Sequence, residues 1–191
     1  MTKIKQLVFF VLLTGFASLA SAETVEDYSK TIDEYKNNPT AGPYFDSAFG
    51  YAVMPNVGKG GLGVGAAHGK GQVYKDGEVT GFVTMNQLSI GLQAGGQAYS
   101  QVIFFEDQRA YDDFISGNFE FDAGVSAVAI TASAQASAST TGSSASAGPG
   151  GSAGNQAETG YYKGMKVFVI GKGGLMYQAA VAGQKYKFKA L

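Results

Sequence analysis

The segment 58–71, GKGGLGVGAAHGKG, constrains the fold more than any other stretch, because half of its residues are glycine. Its first glycines have the G-x-G-x-x-G spacing of a dinucleotide-binding loop, but that motif requires a helix next and an acidic residue about 20 positions further on. More glycine follows instead, and positions 80–86 contain no acidic residue. A P-loop is excluded as well, because Gly71 replaces the Ser or Thr that must follow the lysine. The segment therefore does not indicate a nucleotide site.

A structural role explains these glycines better. Gly61, Gly63 and Gly65 alternate with larger apolar residues, which places the glycines on one face of a β-strand. Glycine on a strand face lets another backbone or an aromatic ring approach closely, and the chain contains 13 Phe and 11 Tyr. The pattern predicts a strongly curved, glycine-rich antiparallel sheet or a small barrel.

An amphipathic helix is predicted over 24–38, with Thr24 and Asp27 at its start. Its apolar residues recur every three or four positions and share one face; they are Val25, Tyr28, Ile32 and Tyr35. Such a helix packs on its domain or lies on a membrane. Its length and its acidic polar face favour packing.

The other elements are predicted mainly as strands, which gives an α+β fold with two helices. A short strand over 51–55 ends at Pro55, and Asp76-Gly77 marks a tight hairpin. Alternation over 87–94 predicts a half-buried strand with Leu88 on the apolar face. The apolar run 102–105 is a strand and 107–116 is the second helix, and further strands follow over 119–130 and 165–188.

The chain divides into a signal peptide, a linker with the first helix, and one domain. Two lysines, an apolar run and Ala20-Ser21-Ala22 predict a secretory signal peptide over 1–22. The N-terminal helix and linker occupy 23–43, and the domain 44–191. Residues 132–157 consist almost entirely of Ala, Ser, Gly and Thr, which predicts a low-complexity loop.

Charge is distributed unevenly along the chain. Residues 23–158 carry 15 acidic and 6 basic side chains, whereas 159–191 carry six lysines and no acid. This asymmetry predicts a basic face on an acidic protein. Nucleic acid is not an expected partner, because the domain as a whole is acidic and the signal peptide predicts export.

Catalytic constellations are missing from the sequence. There is no cysteine, His68 is the single histidine, and no G-x-S-x-G nucleophile motif occurs. Asp112 and Asp113 are adjacent on a predicted helix and point in different directions, as solvated residues do. We therefore expect a protein that is not an enzyme and has no cofactor and no metal.

The C-terminal segment KYKFK places Lys185, Lys187 and Lys189 on one face of a strand. Two interpretations are open. Lysines on an edge strand commonly prevent edge-to-edge aggregation. A cationic strand face would also attract anionic lipid headgroups.

Four segments in order resemble the SYLF domain family: MPNVGKGGLGVGAAHGKGQVY, SIGLQAGGQAYSQVIFF, GNFEFDAGVSAVA and GLMYQAAVAGQKYKF. The resemblance covers about Tyr44 to Phe188. It implies phospholipid binding through a basic surface and an amphipathic helix at the domain's start. His68 departs from the arginine usual in this family, and the insert at 132–157 is unusually long. In eukaryotes the domain occurs in lipid- and actin-binding proteins, but actin is not an expected partner of an exported protein.

The sequence predicts an exported protein that associates peripherally with anionic phospholipids. It would reside in the periplasm or at the outer-membrane periphery, or be secreted. The predicted contact residues are basic or lie on the apolar face of the first helix: Lys59, Lys70, Lys172, Lys185, Lys187, Lys189, Val25, Tyr28, Ile32 and Tyr35. The alternatives are an integral outer-membrane β-barrel and a structural periplasmic protein without a specific lipid ligand.

Overall fold

A computed structural model describes residues 23–121, 127–130, 160–174 and 183–191. The predicted signal peptide at 1–22 and the low-complexity segment at 132–157 lie outside these residues. The helices are α1 (Ser29–Lys36), α2 (Gly42–Ser47) and α3 (Gln108–Ile115). The strands are β1 (Gly50–Lys75), β2 (Glu78–Phe105), β3 (Phe119–Glu120), β4 (Ala127–Ile130), β5 (Met165–Gly174) and β6 (Gln184–Ala190).

Two long antiparallel strands, β1 and β2, form the hairpin on which the rest of the fold is built. The Asp76-Gly77 turn is confirmed, and both residues have the positive φ angles, 52° and 83°, that this type of turn requires. Pro55 does not end the strand, contrary to prediction. A register shift between Met54 and Val57 accommodates the proline, which has no N–H to donate.

The hairpin folds back on itself, so that the two halves of β1 face each other. The rings of Tyr51 and Tyr74, near opposite ends of the strand, stack with centroids 4.9 Å apart. A Cβ added to Gly69 would lie only 2.7 Å from Cγ2 of Val57. At Gly61 the chain bends so tightly that an added side chain would collide with the carbonyl group of Val64, three residues further along the strand. The predicted role of glycine in close approach and curvature is confirmed.

The remaining strands extend the sheet from the other edge of β2. Strand β5 pairs with residues 97–105 of β2, and β6 pairs with residues 81–87. Within the sheet, the two-residue β3 lies beside β6, on the side away from β2, and β4 lies beside β5 on the opposite edge. The predicted α+β fold with a curved sheet is confirmed, although β4 runs parallel to β5 and not antiparallel as expected.

Apolar clusters lie on both faces of the sheet. On one face, α3 packs Tyr111 and Phe114 against Phe105 and the core strands. The predicted second helix is confirmed, and Oδ1 of Asp107 caps it by accepting a hydrogen bond from the Ala110 N–H at 2.8 Å. On the opposite face α1 and α2 cover the sheet, where Tyr44 of α2 contacts the rings of several core aromatics. No helix among the described residues is long and apolar enough to cross a membrane.

The first helix is shorter than predicted. It begins at Ser29 and not at residue 24, and Asp27 accepts a hydrogen bond from the Ser29 N–H at 2.9 Å. Residues 24–28 are not helical; the side-chain amide of Gln72 on β1 donates to the Glu26 carbonyl oxygen at 3.1 Å. This contact to the sheet competes with the helical hydrogen bonds that the periodicity alone would predict. Helix α2 was not predicted, although the proline in its first turn is a typical helix-start signal.

Candidate functional site

Exposed lysines gather on the outward side of the sheet where β1, β2 and β6 run side by side. Lys70 lies directly opposite Thr84, and Thr84 lies directly opposite Lys187. Because residues opposite each other in a β-ladder share a face, both lysines point to the same side. Lys185 and Lys189 lie two residues away from Lys187 and therefore share that side. We call this set the basic face: Lys70, Lys185, Lys187 and Lys189.

A row of uncharged and imidazole side chains, Asn86 and His68, lies beside the basic face. His68 lies opposite Asn86, and Asn86 lies opposite Lys185. The His68 Nδ1 and Asn86 Oδ1 atoms are 2.9 Å apart, within hydrogen-bond distance. The histidine is therefore held among the lysines and is exposed with them.

Two carboxylates partly neutralise the basic face. Glu23 reaches both Lys70, at 3.9 Å, and Lys189, at 3.5 Å. Glu120 of β3 lies 3.4 Å from the Lys185 Nζ atom. The lysine side chains in these pairs are about two-thirds exposed, and exposed ion pairs contribute only about 0–1 kcal/mol. Another anion can therefore replace either carboxylate at little cost.

An open groove of about 500 Å³ lies between residues 23–28 and the hairpin. Lys70, His68 and Phe82 contribute to one wall, and Glu23 and Tyr28 to the other. Burial, together with the nearby charges of Glu26 and Glu23, raises the pKa of Tyr28 to about 12. The phenol thus stays neutral, and the groove offers a cation, carboxylates and an aromatic wall to a polar ligand.

The structure separates two other predicted lysines from the basic face. Lys59 is only 8% exposed, and burial lowers its pKa. It is therefore not available for contact with a membrane surface, which corrects the prediction. Lys172 is exposed on β5, and its Nζ atom donates to Oδ1 of Asn56 at 3.4 Å. Since Asn56 belongs to the groove wall, Lys172 reaches the rim of the groove.

The apolar face of the first helix packs on the domain, as predicted from the helix's length and its acidic polar face. Tyr35 is completely buried and its hydroxyl lies 3.1 Å from Oγ of Ser100, while Ile32 is 9% exposed. Neither side chain can contact a lipid surface, so their predicted contact role is corrected. Tyr28 is half-buried in the groove, and Val25 is 53% exposed outside the helix.

Sequence alternation placed Leu88 on the wrong side of its strand. Leu88 is 81% exposed, whereas Gln87 is 5% exposed. Val83 and Met85 of the same strand are anchored in the core, and side chains alternate strictly, so position 87 must face inward and position 88 outward. Sequence analysis also missed Glu23 as a partner of the basic face, since nothing local indicates that residue 23 lies near β6.

A sequence model of the Ysc84 family, described as Las17-binding protein actin regulator, matches residues 86–188, more than half of the chain. The chain belongs to the SYLF family. The resemblance drawn from its sequence motifs is thereby confirmed. Another similar protein is Beta cell expansion factor A of Aeromonas veronii, which is 31% identical over 155 residues, or 80% of this chain and 50% of that protein. The chain spans about half the length of this SYLF relative.

SYLF proteins form a family of binding domains linked to lipids and to actin, and the family is not known for enzymatic activity. Within the described ranges, no three His, Cys, Asp or Glu side chains are grouped closely enough to hold a metal ion.

Proposed function

We propose that this SYLF protein is exported and, without enzymatic activity, binds the surface of membranes that contain anionic phospholipids. The observation that supports this most strongly is the basic face, on which two separate strands bring four exposed lysines to one side of the sheet. Phosphate oxygens are suitable partners for such lysines. The 23–28 groove beside Lys70 offers a recess for one headgroup.

The basic face is strong enough to produce measurable binding. A lysine near a surface of anionic lipid contributes about 1 kcal/mol, so the three lysines of β6 together contribute about 3 kcal/mol. That free energy corresponds to about a hundredfold in the partition coefficient. The attraction falls off within about 10 Å at 0.1 M salt, so salt should weaken it strongly.

Export is the second part of the proposal, and it rests on the composition of residues 1–22. Cleavage after Ala22 would make Glu23 the first residue of the exported protein. Mass spectrometry of the protein from a periplasmic fraction should then give a mass that begins at Glu23. A mass that includes residues 1–22 would contradict the proposed processing.

Co-sedimentation tests the lipid proposal. The purified protein is mixed with phosphatidylcholine vesicles, with or without phosphatidylglycerol, at low and at high salt. We expect binding only to the vesicles with phosphatidylglycerol, and only at low salt. The variant with Lys185→Gln, Lys187→Gln and Lys189→Gln should lose about a hundredfold in partition coefficient.

A matched variant controls for total charge. Lys30→Gln, Lys36→Gln and Lys163→Gln change three exposed lysines outside the basic face. If both triple variants lose binding equally, net charge and not the basic face is responsible. If the β6 variant aggregates without vesicles while the control does not, the lysines protect the strand edge, since β6 has only the two-residue β3 on its outer side within the described residues.

A further inference from the structure

The folded hairpin ends in a group of exposed apolar side chains. Leu62 is 83%, Leu88 81% and Val64 62% exposed, and these are three of the five large apolar residues that are exposed in the described part of the chain. Leu88 lies directly opposite Ala66, two residues from Val64, so two of the three are diagonal neighbours across the ladder. We call Leu62, Val64 and Leu88 the apolar tip. Single exposed apolar residues are ordinary, but a group of them indicates an interaction site.

Val64 and Leu88 of the apolar tip continue the outward side of the sheet that carries the basic face, and Leu62 lies two residues before Val64, across a register shift. Thr84, Asn86 and Leu88 follow one another at every second position of β2 and therefore share that side. Asn86 pairs with Lys185, the lysine of the basic face nearest to the bend, and Leu88 lies two residues further along β2. At about 3.4 Å per residue, these two residues span about 7 Å along the strand.

Composition changes sharply at the same level. Residues 60–67 and 87–96, which lie opposite each other and form the bend of the hairpin, contain no charged residue and no histidine. Within the described residues, positions 88–96 pair only with β1, so the bend extends past the paired regions of β5 and β6. The outward surface thus passes from lysines to uncharged apolar side chains over about 7 Å.

A phospholipid leaflet has the same sequence of layers. Its headgroup region is roughly 5–8 Å thick, half the difference between the whole bilayer and its hydrocarbon core. We propose that the apolar tip inserts into the acyl region of an anionic membrane while the basic face contacts the headgroups. This inference rests on the proposed function and adds to it a site, a depth and an orientation.

A single introduced tryptophan reports insertion, because the chain contains none of its own. With phosphatidylcholine–phosphatidylglycerol vesicles, the emission of Leu88→Trp should shift to the blue, and lipids brominated on their acyl chains should quench it. The matched control is Asp112→Trp, at an exposed position of α3. Its emission should neither shift nor be quenched.

A loss-of-contact variant provides the second measurement. Leu62→Ser together with Leu88→Ser should lower the partition coefficient at least about tenfold, since each leucine loses most of its transfer free energy. Both side chains are more than 80% exposed, so the thermal midpoint should remain that of the unchanged protein.

The two proposals fail in different ways. If the protein binds vesicles in a salt-sensitive way, but the emission of Leu88→Trp does not shift and the serine variant binds normally, insertion is refuted and the basic face stands. If the emission of Leu88→Trp shows insertion but the β6 glutamine variant binds normally, the basic face is refuted and the apolar tip stands. Absence of any vesicle binding refutes both. A blue shift that grows with protein concentration without vesicles shows that a second copy covers the tip, which also refutes insertion.

Discussion

Packing of the two halves of β1 against each other predicts that replacing Gly71 even by alanine strongly destabilises the protein. A Cβ at this position would overlap the carbonyl oxygen of Val53 and lie 2.6 Å from Cγ of Met54. It would also lie 2.9 Å from the Val53 carbonyl carbon. The side chain of Met54 can move aside. The backbone at Val53 cannot, because moving it would separate the two halves of β1 that pack against each other.

The cost follows from the type of collision. Overpacking a tight site typically costs 1–3 kcal/mol, and a clash with backbone puts Gly71→Ala at the upper end, about 3 kcal/mol. For a chain of this size, 1 kcal/mol changes the thermal midpoint by about 2–4 °C, so the expected decrease is about 6–12 °C.

Gly58→Ala provides a matched control on the same strand. No atom lies within 4 Å of an added Cβ there, and its φ angle is not in the left-handed region. Its free energy of unfolding should stay within about 0.5 kcal/mol of the original value, with a small gain from the stiffer unfolded chain. Both variants are compared by thermal and urea unfolding. Equal midpoints for Gly71→Ala and Gly58→Ala would refute the folded-back hairpin.

Three further predictions concern electrostatics and buried hydroxyls. Glu23→Gln should raise affinity for phosphatidylglycerol vesicles about fivefold, because it frees two lysines of the basic face. The control is Asp46→Asn, at an exposed position of α2. An equal gain in affinity with this control would show that net charge alone causes the effect. Burial raises the pKa of Tyr99 to about 12, whereas in the unfolded chain it is about 10. The stability that this shift contributes is complete below about pH 10 and is lost as the pH rises toward 12. Between these pH values the free energy of unfolding, measured with urea, should therefore fall about 1.4 kcal/mol per pH unit less steeply in Tyr99→Phe than in the original protein. An unchanged slope would contradict this. Tyr35→Phe and Ser100→Ala should each destabilise the protein, and the double variant should cost about 0.5–1.5 kcal/mol less than their sum; strict additivity in urea unfolding would rule out the bond.

Local signals predicted the elements whose causes are local. The Asp76-Gly77 turn is set by two residues, and the cap of α3 is set by Asp107 and the N–H three residues later. The curved sheet followed from glycine alternation, and the α+β class followed from the periodicity of the predicted strands and helices. By contrast, the start of α1 depends on Gln72, which is 46 residues from its partner Glu26, and no local pattern contains that contact.

The candidate site was only partly predictable, because its residues are brought together by register. Counting back from the Asp76-Gly77 turn without interruption would place Lys70 opposite Val83, on the buried side of β2. A register shift between Val73 and Tyr74 moves the pairing by one residue and sets Lys70 opposite Thr84 on the outward side. Such a one-residue shift reverses the facing of every later pair. The lysines of β6 could thus be grouped from sequence, but their meeting with Lys70 depends on a bulge that the sequence does not mark.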